Sequence, residues 1–123
     1  MSFSVKHTCL ENDSILIRSF SGSVVMQDVI DAWKSDIKNG IVHSGLKGIV
    51  TDFTHCKNNA TIDELQKIVE FYKDNITVFE HIKLAVVLDA PNVIVLLLFE
   101  ETHADMHHKA FSTFNAALAW VKK

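Results

Sequence analysis

The stretch Lys83-Leu84-Ala85-Val86-Val87-Leu88 carries five apolar residues in succession, bounded by Asp89, Ala90 and Pro91. Side chains of a strand alternate between its two faces, so a run of this length and composition leaves neither face to water. The expectation is a strand inside a parallel or mixed sheet with cover on both sides, and the rest of the chain must supply that cover.

The flanking segments supply it in alternation. Phe3, Val5, His7 and Cys9 alternate with polar residues, Leu10 to Ser14 has turn composition, and Ile15 to Phe20 reads as a second strand closed by Gly22. Met26, Val29, Ile30, Trp33 and Ile37 then fall at three- and four-residue spacing, the mark of an amphipathic helix, with Ser23 as its cap and Asn39-Gly40 as its stop. Gly48 to Phe53 reads as a short strand ending near a carboxylate. Thr61 and Glu64 have capping-box spacing ahead of a helix whose apolar face is Ile62, Leu65, Ile68, Val69, Tyr72 and Ile76. After the Lys83 strand, Pro91 suits a helix start for Val93 to Phe99, because a parallel strand needs a crossover behind it. His107 to Phe111 reads as a short edge strand, and Thr113 caps a last helix bearing Phe114, Ala117, Leu118 and Val121. The predicted order is ββαβαβαβα: an α/β chain with a mixed sheet of about five strands and four helices. It forms a single domain over residues 1–123, without repeat or linker.

Charge and cysteine usage narrow the classes of function. Twelve Lys and Arg against 15 Asp and Glu give a net charge of -3, with no basic stripe to replace counterions along a phosphate backbone, so nucleic acid is a poor partner. Cys9 and Cys56 show no metal-ligand spacing. The longest apolar run, Val93 to Phe99, is seven residues, against the ~20 that span a bilayer. The expectation is a reduced, cytoplasmic protein without membrane insertion.

The features now assembled resemble those of small bacterial STAS-like (SpoIIAA-like) domains related to anti-sigma-factor antagonists. They are the hairpin ending in Ser21-Gly22, the helix with Asp28 and Trp33, and Gly48-Ile49-Val50-Thr51-Asp52-Phe53. To these add Lys83 to Val87 followed by Pro91, and Phe111-Ser112-Thr113 with Ala117 and Trp120. The resemblance implies an interaction or regulatory module that works by protein contact. In the sigma-regulating members a Ser or Thr in an Asp-Ser-Ser/Thr-Gly pattern, between the central strand and the next helix, is phosphorylated by a partner kinase. The corresponding stretch here is Asp52-Phe53-Thr54-His55-Cys56-Lys57: Asp52 is kept, Thr54 offers the hydroxyl, and the glycine is missing. This departs from the regulators and is more similar to members of unassigned function. The alternative is a small-ligand domain, with a lipid or nucleotide between sheet and helices.

Candidate chemistry is sparse. Asp52 and Asp89 close two neighbouring predicted strands. Either both line a polar pocket at the carboxyl edge of the sheet, where open α/β sheets bind ligands, or each caps its own loop. His103 and His107 are four apart and would share a helix face as metal ligands, but the Glu of a zinc-protease motif is absent, and a solvated loop is the better reading. No cofactor is expected. His55 and Cys56 adjoin in sequence, which on a strand points them apart, and no nucleophile elbow or phosphate loop exists. No catalytic set is legible. The apolar run supplies the remaining candidate surface: Val93, Val95, Leu96, Leu97 and Phe99 would show on every side of a helix, which suits the interface of a homodimer.

Overall fold

A computed structural model describes residues 3–12, 14–57, 62–88 and 107–123, with the backbone alone at 57 and 62–65. Strand β1 (Phe3–Leu10) turns back into β2 (Ile15–Ser23) as an antiparallel hairpin. Glu11 and Asn12 make that turn with φ of 51° and 59°, and Lys47 and Lys122 both reach Glu11, at 3.1 and 3.7 Å. Helix α1 (Met26–Lys38) leads to β3 (Gly48–Lys57). Helix α2 (Ile62–Asp74) and the single turn α3 (Ile76–Phe79) lead to β4 (Lys83–Val87), and β5 (His107–Phe111) and α4 (Phe114–Lys122) follow. The sheet has the order β1-β2-β3-β4-β5, with every pair after the hairpin parallel. The expected mixed five-stranded α/β sheet is therefore present. The helix expected at Val93 to Phe99, the cap Thr61, and the site residues Asp89 and His103 lie outside the described residues.

The both-faces reading of the Lys83 strand holds in detail. Leu84 and Val86 enter one core with Leu16, Phe20, Ile49 and Phe53 from the sheet. Trp33, Ile68, Phe71, Tyr72 and Phe79 from α1 to α3 cover it. Ala85 and Val87 enter a second core with Ile15, Ile17 and Val50, covered by Ala117 and Val121 of α4. At Gly48 the sheet meets α4 so closely that an added Cβ would stand 2.7 Å from Val121 Cβ, so only glycine permits this spacing.

Three boundaries differ from expectation. Ser23 closes β2 rather than capping α1; the helix starts after Val25, whose N–H donates to Asp28 Oδ2 at 3.1 Å. Ile76 does not continue α2 but opens α3: Asn75 stands between the two, its N–H shared by Phe71 O and Tyr72 O and its side chain also donating to Phe71 O at 2.9 Å. Strand β3 does not stop near Asp52. Beyond the Asp52–Val87 pair it leaves β4 but stays on β2 through Ser21–His55 and Ser23–Lys57. Thr113 caps α4 as expected, accepting from Ala116 N at 3.2 Å.

Candidate functional site

The carboxyl end of the middle strand β3 is irregular. Ser19 faces Asp52 and Ser21 faces His55, so one residue of β2 stands opposite two of β3, Phe53 and Thr54. Such bulges bend a strand and re-aim its side chains, and they collect beside functional sites. Asp52 holds this one together. Its Oδ1 accepts from Thr54 N at 2.9 Å and from Thr54 Oγ1 at 2.7 Å, and the carboxylate is buried beside a half-buried Thr54. Thr54 therefore sits within the strand, not on a strand-to-helix turn. Two residues on, the Cys56 thiol donates to Phe53 O at 3.3 Å, and burial, then the nearby Asp52 charge, push it up from its ordinary range. His55 is exposed and makes no described contact with that thiol. At the far edge of the sheet His107 is exposed on β5.

A second polar group, not expected from the sequence, lies under α1. Arg18 is wholly buried in β2, on the core face between Leu16 and Phe20. Its Nε donates to Asp36 Oδ2 of α1 at 2.8 Å and its Nη1 to Thr51 Oγ1 of β3 at 3.3 Å. The guanidinium carbon stands 3.7 Å from the Trp33 ring centroid, a stacked cation–π contact. His7 of β1 closes the outer side: its Nε2 lies 3.0 and 3.1 Å from the two Asp36 oxygens, and about a third of its side chain is exposed. An ionised carboxylate only accepts, so His7 donates here. The Asp36 carbonyl also accepts from Ile41 N and Val42 N, which fixes the loop after α1.

The inner side of this centre is aromatic. Tyr72 meets Trp33 edge to face at 6.0 Å and His108 of β5 at 5.0 Å, and Phe79 packs on both Trp33 and Tyr72. Burial sets the charge states. It pushes Tyr72 up to about 12 and His108 down to about 3, so both are neutral near pH 7. Burial also pulls Arg18 down against the opposing attraction of Asp36, but a guanidinium stays charged. Arg18 Nη2 is buried without a hydrogen-bond acceptor among the described residues, whereas the Trp33 indole N–H is directed to the Tyr72 hydroxyl and opposes the effect of burial on it. The sequence held a signal for the pair: Arg18 and Asp36 stand in core phase, one in an apolar strand and the other three residues after Trp33.

Among the described residues no cluster of three His, Cys, Asp or Glu side chains is arranged to hold a metal ion, and no helix is long and apolar enough to cross a membrane. No protein-family description and no curated protein matches the chain in sequence. Solved structures do match in shape. An anti-sigma factor antagonist from Mycobacterium paratuberculosis superposes with a TM-score of 0.65 at 18% identity, over 99% of this chain and 96% of that one. An uncharacterised DUF3478-family protein with a SpoIIAA-like fold, from Shewanella loihica PV-4, gives 0.57 at 11% identity, over 97% and 93%. The unphosphorylated form of the anti-sigma factor antagonist SpoIIAA gives 0.55 at 8%, over 97% and 98%. Together with the strand order and the helices on both faces, these matches give the chain the SpoIIAA-like, STAS-like fold.

Proposed function

We propose that this chain is a non-enzymatic regulatory module that acts by contact with a protein partner, through the bulged end of β3. The observation that carries the reading is the Asp52–Thr54 pair: a hydroxyl 2.7 Å from a buried carboxylate on the middle strand. A phosphate on Thr54 would replace that hydrogen bond with repulsion between like charges, and the bulge would have to open. Two of the structures of similar shape are named as anti-sigma factor antagonists, which fits a contact switch on this fold. Self-association belongs to the same proposal. Its surface is the run bearing Val93, Val95, Leu96, Leu97 and Phe99, outside the described residues, and a dimer mass by light scattering that Leu96→Glu reduces to a monomer would support it.

Incubation with cell extract and ATP, followed by native mass spectrometry, tests the switch. Phosphate on Thr54, with a protein complex that Thr54→Glu dissolves, is the expected result. An unphosphorylated Thr54 together with a complex indifferent to Thr54→Glu overturns it. A retained lipid or nucleotide with no protein partner would favour the small-ligand reading instead.

A further inference from the structure

We infer that the outer edge of β1 takes up an extended segment of a partner protein as a further strand of the sheet, one that sets a carboxylate side chain beside Lys6. Strand β1 stands at the end of the sheet and, among the described residues, pairs with β2 alone. Its register runs from Phe3–Gly22 to Leu10–Ile15 without a shift, so no bulge interrupts it. None of its residues is buried, and Lys6 to Cys9 are exposed in succession. Every second N–H and C=O of such a strand points away from its neighbour, which makes the edge a template for another strand. Proline, a bulge or a very short length normally blunts an edge, and β1 has none of the three. The strand is also held in place from its inner side, where His7 Nε2 meets Asp36 Oδ1 of α1 at 3.0 Å. A strand fixed in this way loses little freedom when a partner joins it.

Charge selects the occupant. Although the chain is acidic overall, β1 holds Lys6 and His7 and no Asp or Glu. The nearby acids are already engaged, Asp36 by Arg18 and His7 and Glu11 by Lys47 and Lys122. Lys6 itself is exposed and has no ion pair among the described residues. A second copy of the chain fits this edge poorly. Antiparallel pairing about a two-fold axis sets residues of the same face opposite one another. The two registers that overlap most of β1 therefore place Lys6 against its own copy, or His7 against its own copy with the two lysines on a diagonal. Like charges opposed across strands weaken pairing, and a carboxylate in place of one of them reverses the sign. The occupant is thus a strand of a different protein with Asp or Glu at the position facing Lys6, bound by main-chain hydrogen bonds. The inference does not rest on the Thr54 switch, since β2 lies between β1 and β3.

Three heptapeptides are the probes: alternating Thr and Val around a central Glu, the same sequence with a central Lys, and the Glu peptide N-methylated at every residue. Amide hydrogen exchange, read residue by residue by NMR, reports where they bind. The Glu peptide should slow exchange of the outward β1 amides and bind about fivefold more tightly than the Lys peptide, the order expected when an attractive cross-strand pair becomes repulsive. The N-methylated peptide, which cannot donate to the edge, should leave β1 exchange unchanged. Lys6→Glu, a change at an exposed position, should reverse the preference between the first two peptides. Unaltered β1 exchange with millimolar Glu peptide overturns the inference, and so does equal binding of the Glu and Lys peptides. A dimer of the peptide-free protein with its outward β1 amides already protected assigns the edge to a second copy and overturns the choice of partner. The assay contains neither kinase nor ATP, so its failure and failure of the β3 switch are separate results.

Discussion

Arg18 Nε and Asp36 Oδ2 stand 2.8 Å apart with no exposed surface on the arginine and 5% on the aspartate side chain. A pair so far from water gains little over a well-packed apolar substitute, but removing one partner strands the other's charge. Asp36→Asn should therefore cost about 3–5 kcal/mol in urea denaturation. The double change Arg18→Met with Asp36→Leu should cost much less than Asp36→Asn alone. Equal losses from both proteins would show that the pair's charges do not govern stability here.

Gly48 and Val121 set the distance between β3 and α4. An added Cβ would meet Val121 Cβ at 2.7 Å, backbone-fixed on both sides, so no rotamer change relieves it. Gly48→Ala should push α4 outward and cost about 1–3 kcal/mol, the range for overpacking a closed core. Trp120 and Phe111 pack together at 5.7 Å over that helix, so the same variant should alter Trp120 fluorescence. An unchanged melting curve and unchanged emission would mean that the helix is not seated as described.

His108 makes stability depend on acid. In the folded chain burial holds it down to about 3, against an ordinary value of 6.5. Between those pH values the unfolded chain carries a proton that the folded chain refuses, so stability falls as pH drops through this window. The slope attributable to one such group is at most about 1.4 kcal/mol per pH unit, and it vanishes above the unfolded value. His108→Leu should flatten the stability curve between pH 6 and pH 4 by about that amount relative to the parent. Parallel curves for the two proteins would contradict the assignment.

The sheet was legible because its inner strands are apolar on both faces and its helices on one. The Leu84–Leu88 run implied helices on both sides, and both cores exist. Local competition was less legible. Asn75 falls inside a continuous helical pattern, yet it stands at the break between α2 and α3, with its N–H and its side-chain amide both on the Phe71 carbonyl. The continuation of β3 past Asp52 depends on β2 running on to Ser23, a pairing that no property of residues 53–57 announces. The Arg18 centre went unread for a different reason. Its members come from β1, β2, α1, β3, α2 and β5, and each looks like a lone polar residue until the sheet order brings them together. Periodicity finds which residues point inward; it does not find which inward polar residues meet.

Strands numbered by sequence lie in the sheet in that same order, and this shapes how the molecule can be assembled. Each strand after the hairpin joins the one made immediately before it, so the sheet can grow by a single moving front as the chain lengthens. The nucleus then belongs to β1 and β2, whose contact is the most local, and during synthesis β5 is the last strand to become available. Since β5 brings His108 to Tyr72, the interior around Arg18 is sealed only once that strand has joined. Pulsed hydrogen exchange during refolding should show β1 and β2 amides protected before those of β5; protection of β5 first would reverse this sequence of events.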